Sequence, residues 1–209
     1  MIAAAAACGA LAAAAPAAAD DAALRRAGLV ELHPRIGLDL RYATSRNFTG
    51  RRLPGYCRAE AWLLPAAARA LDRADRRLRR RGLALRVYDA YRPARATRAM
   101  VRWARRTGND HLLDGWIARR SNHNRGAAVD VTLVRESDGR PLGMGTAYDS
   151  FSSRSRTRAV GGRALRNRMR LIRALEGAGF RNYSGEWWHF DWPAGRGEPL
   201  RDVGIGCRR

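Results

Sequence analysis

The 209-residue chain has four histidines, and two of them stand among other reactive side chains. His123 lies in Ser121-Asn122-His123-Asn124-Arg125-Gly126-Ala127-Ala128-Val129-Asp130, and His189 closes Glu186-Trp187-Trp188-His189. A glycine turn after His123 can fold Asp130 back toward the imidazole, and His189 can supply a third donor. Two imidazoles and a carboxylate, with a fourth position left to water, form the ligand set of a catalytic zinc. Glu186 precedes His189 by three residues. On a strand, such residues face opposite ways, so both reach one site only if the segment bends or a strand ends there. With that bend, Glu186 is placed as the general base for a water activated by the metal. Asp89 and Arg92 follow an apolar run, and the Arg92 guanidinium can polarise a carbonyl and stabilise the oxyanion. His33 and His111 lack such company and read as ordinary surface or packed residues. Trp187 and Trp188 read as core.

These groups need a scaffold, and hydrophobic periodicity supplies its outline. Residues 29–42 alternate enough for short extended segments, followed by a polar turn. Residues 59–81 carry Trp62, Leu63, Ala66, Ala70, Leu71, Ala74 and Leu78 at helical spacing, with Gly82 as the stop. The arginines within that stretch are most simply a solvated face. Residues 83–88 and 127–134 predict strands, the second with Asp130 in its middle. Pro93 opens a helix carrying Met100, Val101 and Trp103. A Gly- and Ser-rich loop covers residues 135–162. Residues 163–178 predict a helix burying Leu165, Met169, Ile172 and Leu175, closed by Gly179. Residues 186–192 predict a short aromatic strand. The mixture lacks regular strand–helix alternation and a glycine fingerprint. It predicts an α+β single domain, with a small mixed or antiparallel sheet flanked by helices and the metal site at the sheet.

Composition narrows the classes further. With 46% hydrophobic and 28% charged residues the chain is globular rather than disordered. Forty basic residues against 19 acidic give a net charge of +21, and every basic residue is arginine. Lysine-free sequence with long alanine runs points to compositional bias, so no nucleic-acid partner is expected. An anionic cell-envelope polymer is the better match to surplus arginine. Residues 1–19 hold no charged side chain and end in Ala17-Ala18-Ala19, the pattern of a secretory signal. Residues 20–209 form the mature domain, with no membrane span and a periplasmic or extracellular location. Its two cysteines, Cys57 and Cys207, are compatible with one disulfide or with two free thiols.

The two histidine segments resemble the S-x-H-x-x-G-x-A-x-D and E-x-x-H motifs of zinc peptidases related to D-alanyl-D-alanine dipeptidases and carboxypeptidases. Residues 39–50 (DLRYATSRNFTG), 88–93 (YDAYRP) and 144–151 (MGTAYDSF) resemble segments of the dipeptidase branch, the vancomycin-resistance type, in the same order. The likeness runs from about Asp39 to Trp192. It implies one zinc held by His123, Asp130 and His189, with Glu186 as base and Arg92 stabilising the tetrahedral intermediate. It also implies Ser121 at the substrate carboxylate, Asp149 and Tyr42 near its ammonium, and a small closed pocket for a free dipeptide. The chain departs from the family after Phe151, where Ser152-Ser153-Arg154-Ser155-Arg156-Thr157 replaces a run toward a Ser-His pair. That departure bears on the pocket rim. The activity implied is hydrolysis of D-Ala-D-Ala, in cell-wall precursor or turnover metabolism. The alternatives are a D,D-carboxypeptidase trimming peptidoglycan stems and, from another class, a non-catalytic envelope-binding module.

Overall fold

The computed structural model describes residues 17–207. Four α-helices occupy Ala17–Arg26 (α1), Pro65–Arg79 (α2), Ala94–Arg106 (α3) and Gly162–Glu176 (α4). Seven strands occupy Val30–Glu31 (β1), Gly37–Leu38 (β2), Trp62–Leu63 (β3), Leu83–Asp89 (β4), Ala128–Arg135 (β5), Arg181–Asn182 (β6) and His189–Asp191 (β7). The main sheet runs β2-β4-β5-β7-β6, parallel only between β2 and β4, while β1 and β3 form a separate antiparallel pair. This is the expected α+β architecture with a mixed sheet. One contiguous core extends from Leu24 in α1 to Ile205 near the chain end. The signal boundary expected after residue 19 would fall inside α1, and residues 1–16 lie outside the described residues.

Two element assignments and one burial pattern change. The helix expected from residue 59 begins at Pro65, where a missing amide proton costs nothing. Trp62 and Leu63 match its spacing by coincidence and belong to β3. The aromatic strand expected over 186–192 shrinks to the three residues of β7, because Glu186, Trp187 and Trp188 form a turn. In α4, Leu165 and Met169 are only half-buried, whereas Asn167 and Arg168 are buried. In α2 Ala66 is exposed, whereas Ala70, Leu71, Ala74 and Leu78 are buried as expected, and seven of the eight β5 residues are buried.

The sheet sets the chemistry in register. β4 shifts register between Val87 and Asp89, so that Asp89 lies opposite Asp130, and Asp130 in turn lies opposite His189 on β7. A bulge at the end of a strand re-aims side chains, and here it aligns three functional residues on three adjacent strands. Cys57 and Cys207 are joined in a disulfide with Cα atoms 4.9 Å apart. The bridge straps the chain end beside Tyr56, where Cys57 N donates to Ile205 O (2.9 Å) and Ile205 N donates to Gly55 O (2.8 Å). The linked cysteines are 150 residues apart in sequence, so the bond removes much freedom from the unfolded chain. Reducing it, or replacing both cysteines by serine, is expected to cost about 2–5 kcal/mol of stability. The readout is the denaturation midpoint with and without reductant, and coincident midpoints would refute the estimate.

Candidate active site

His123 is delivered by a short 3-10 helix, Asn122–Arg125. Ser121 caps it by accepting from His123 N, and the Asn124 side-chain oxygen accepts in return from Ser121 N. Gly126 ends the turn at φ +71°, and a Cβ there would stand 2.4 Å from Leu29 Cδ2, so only glycine serves. The His123 ring is fixed from behind. Its Nδ1 lies 2.7 Å from the Ala90 carbonyl oxygen, which can only accept, so Nδ1 carries the proton and Nε2 offers a lone pair.

His189 shows the same logic with its nitrogens exchanged. Nε2 lies 3.2 Å from Asp191 Oδ1, while Nδ1 faces the site. Asp191 is steadied by Asn122, whose Nδ2 donates to it at 2.9 Å. The three inward atoms are His123 Nε2, Asp130 Oδ1 and His189 Nδ1, separated by 3.1, 3.2 and 2.9 Å. A tetrahedral ion with bonds of about 2.0–2.1 Å holds its ligands about 3.3 Å apart. The donor set therefore fits a zinc-sized cation within a few tenths of an ångström.

Electrostatics supports the same fit. Burial disfavours charge on His189, but its bonds to Asp130 and Asp191 outweigh burial and push the imidazole up to about 10. Burial also raises Asp130, yet the two histidines outweigh it and hold the carboxyl well below its usual range. Both shifts favour positive charge beside Asp130, a demand that a bound cation would meet.

The remaining groups surround this triad. Tyr148 donates to Asp130 Oδ2 (2.9 Å), and its phenol oxygen lies 3.1 Å from that of Tyr42. Tyr42 donates to Asp149 at 3.1–3.2 Å. Arg92 is gripped by Asp89 at 2.8–2.9 Å and stacks over Tyr42, 4.9 Å from the ring centre. Asp89 also accepts from Tyr56 (2.5 Å) and lies 3.3 Å from His123 Nδ1, so it ties the guanidinium to the imidazole. Burial holds the Asp149 carboxyl well above its usual range, reinforced by the nearby charges of Asp130 and Glu186. Asp149 also holds φ at +55°, unusual for a non-glycine residue and a common mark of functional sites.

Glu186 reaches the pocket because of the turn that replaces the expected strand. His189 N donates to Glu186 O (3.3 Å) and Glu186 N donates to Tyr183 O (3.0 Å), so the chain reverses just before β7. Burial pushes the Glu186 carboxyl up to about 7, against the opposing charge of His189. Tyr42, Arg92, Ser121, His123, Asp130, Asp149, Glu186 and His189 all line one cavity of about 330 Å³. That is the small end of the range for ligand pockets, roughly 300–1,000 Å³. Every site residue expected from sequence is thus in one place. His33 and His111 are both exposed. Trp187 is core as expected, while Trp188 also lines the cavity.

Contributors not singled out by sequence include Tyr148, Asp191 and Arg168. Asp191 lies two residues beyond His189, a spacing that shares one strand face and was legible. Arg168 on α4 has no exposed surface and no carboxylate partner among the described residues. It donates instead to the carbonyls of Met144 (2.7 Å), Arg154 (3.0 Å) and Arg156 (2.8 Å), and its guanidinium lies over Trp187, the residue that follows Glu186 in sequence. It thereby clamps both ends of the loop carrying Tyr148 and Asp149, including the serine-rich segment where the chain departs from the family pattern. Replacing Arg168 by Met strands those carbonyls and is expected to cost about 2–4 kcal/mol. Hydrogen exchange should quicken across residues 144–157 and stay slow in α2. Unchanged exchange in the loop would show that it holds itself.

A family model described as D-ala-D-ala dipeptidase (Peptidase M15) matches residues 23–202. The D-alanyl-D-alanine dipeptidase of Escherichia coli (strain K12) is 36% identical, over 86% of this chain and 90% of its own length. That of Enterococcus faecium is 33% identical over 73% of this chain and 83% of its own, and that of Streptomyces coelicolor 34% over 77% and 87%. The match covers the triad, Arg92, Asp149 and Glu186 alike, and the chain belongs to the D-alanyl-D-alanine dipeptidase family of metallopeptidases.

Proposed function

We propose that this protein is a zinc-dependent dipeptidase that hydrolyses D-Ala-D-Ala to two molecules of D-alanine. The observation that carries the reading is the shared cavity, in which a ligand triad, a carboxyl base and a carboxylate for an ammonium face one another. His123, Asp130 and His189 would hold the ion. When bound, zinc supplies a Lewis acid that polarises the scissile carbonyl and makes water more acidic.

The chain's own residues do the rest. Glu186 takes a proton from the attacking water and passes it to the leaving amine. Its raised pKa suits both steps, and a nearby cation favours its ionised form. Arg92, oriented by Asp89, meets the negative charge that develops on the carbonyl oxygen. Asp149 and Tyr42 receive the substrate ammonium, whose arrival restores the charge that burial suppresses on Asp149. Ser121, which lines the same cavity, is assigned to the substrate carboxylate.

Substrate length follows from the same groups. A free ammonium rewards Asp149, whereas a longer peptide would place an uncharged amide beside a buried carboxyl. This favours the dipeptidase over a D,D-carboxypeptidase that trims stem peptides. A non-catalytic envelope module has no chemical need for Glu186. The expected result is free D-alanine from D-Ala-D-Ala by zinc-loaded protein, and loss of at least about 10³-fold in Glu186→Ala with zinc still bound. A wild type that leaves the dipeptide intact and trims longer peptides would instead make it a carboxypeptidase.

We further propose export, with residues 1–19 removed as a signal and the enzyme acting on cell-wall turnover outside the cytoplasm. The uncharged alanine-rich leader and the Cys57–Cys207 bridge support this, since disulfides persist in oxidising compartments. Among the described residues no helix is long and apolar enough to cross a membrane. Mass spectrometry of the protein from its native cell should find an N-terminus near Asp20 in the exported fraction. Full-length protein confined to the cytosol would reject export.

A further inference from the structure

Away from the active site, α4 runs between two grooves whose linings share no residue with the catalytic cavity. The first, about 720 Å³, lies between α4 and the end of α2. Five of its eight lining residues are arginines, among them Arg80, Arg81, Arg170 and Arg173. The second, about 680 Å³, lies between α4 and the hairpin after β5. Five of its nine lining residues are arginines, Arg170 belonging to both grooves. No acidic residue lines either. Arginine makes up 40 of 209 residues in the whole chain, so this concentration exceeds the compositional bias.

The arrangement is ordered. Arg163, Arg166, Arg170 and Arg173 recur at intervals of three and four, which puts them on one stripe of α4 about 15 Å long. Such like-charge neighbours weaken a helix, and Arg163 sits at the N-terminal end, where the helix dipole disfavours a cation. Arg163, Arg166 and Arg173 are exposed, and no side-chain hydrogen bond or ion pair holds them among the described residues. Local helix stability therefore does not account for the stripe.

We infer that this face binds a linear polyphosphate chain, a polyanion without bases or acyl chains. Guanidinium groups match phosphate oxygens in paired hydrogen bonds, and a groove on each side of a charged stripe accommodates a chain. The large hydrophobic residues exposed among the described residues are Leu38, Tyr183 and Leu200, none of them on this face. The face thus offers no aromatic platform for stacking bases and no apolar side chain to insert into a bilayer. The inference is independent of the dipeptidase reading.

The test uses full-length protein and fluorescently labelled linear inorganic polyphosphate, followed by anisotropy at increasing salt. Wild type should bind, with affinity falling steadily as salt rises. Arg166→Ala/Arg170→Ala/Arg173→Ala should weaken binding by about tenfold or more at 0.1 M salt, with dipeptide hydrolysis within about twofold of wild type. A control, Arg102→Ala/Arg105→Ala/Arg106→Ala on α3, removes the same charge elsewhere and should weaken binding far less. Absence of binding at low salt, equal losses in the two triple variants, or tighter binding to duplex DNA or anionic vesicles would each overturn the proposal.

Discussion

The structure turns on three metal-ligating atoms that converge on one point, His123 Nε2, Asp130 Oδ1 and His189 Nδ1. His123 turns Nδ1 to the Ala90 carbonyl and His189 turns Nε2 to Asp191, so each leaves its other ring nitrogen facing the Asp130 carboxylate. Buried within about 3 Å of one another, such groups repel unless a positive charge lies between them. Much of the surrounding architecture holds this configuration in place. The bulge in β4 puts Asp89 opposite Asp130, which adds a further buried carboxylate, and Arg92 answers it. Tyr148 satisfies the second oxygen of Asp130. Each of these partners fixes a ligand's orientation as well as its charge, and that second role is what an ion of fixed geometry requires.

Orientation in turn depends on elements that carry no reactive group. The His123 turn is held by the chain end, where Arg201 N donates to Asn124 O and Arg201 Nη1 donates to Arg125 O. The Cys57–Cys207 bridge anchors that same strap beside Tyr56, whose hydroxyl meets Asp89. On the opposite side Arg168 gathers the carbonyls of a long loop, and Trp187 donates from Nε1 to Thr146 within it. A buried guanidinium without a carboxylate is costly, and burial lowers its pKa to about 10. It persists because one side chain with several donors closes a loop that has no regular backbone pairing of its own.

The ligand triad was legible in sequence because its residue types are scarce and chemically unambiguous. Four histidines in the chain leave few ways to build a metal site. The helices and long strands were legible for a different reason, since their periods persist over enough residues to register. Both faults lay where periods are too short. Trp62 and Leu63 make a two-residue strand, which no alternation can announce, and they happen to continue the helical spacing of α2. Glu186 to Trp188 look like strand because aromatic residues favour sheets, yet the catalytic geometry needs them in a turn. The bend was recoverable from function rather than propensity: Glu186 and His189 serve one site only if the chain reverses between them. Arg168 was hidden by its company, one arginine among five in α4, with nothing local to mark it as the buried one.

Charge is distributed with the same economy. Four acidic residues, Asp130, Asp149, Glu186 and Asp191, line the catalytic pocket, whereas no carboxylate lines the two arginine grooves beside α4. A free dipeptide is a zwitterion with no net charge, so a field of +21 does little to draw it in. Capture must come from short-range contacts inside the cavity, where low dielectric makes each placed charge count. The long-range field is thus of little use to the catalytic site itself. Its effect falls on large anions outside, which a pocket of about 330 Å³ excludes by size. One chain can in this way hold a small neutral substrate by local complementarity and a polyanion by distributed charge, with neither function competing for the other's residues.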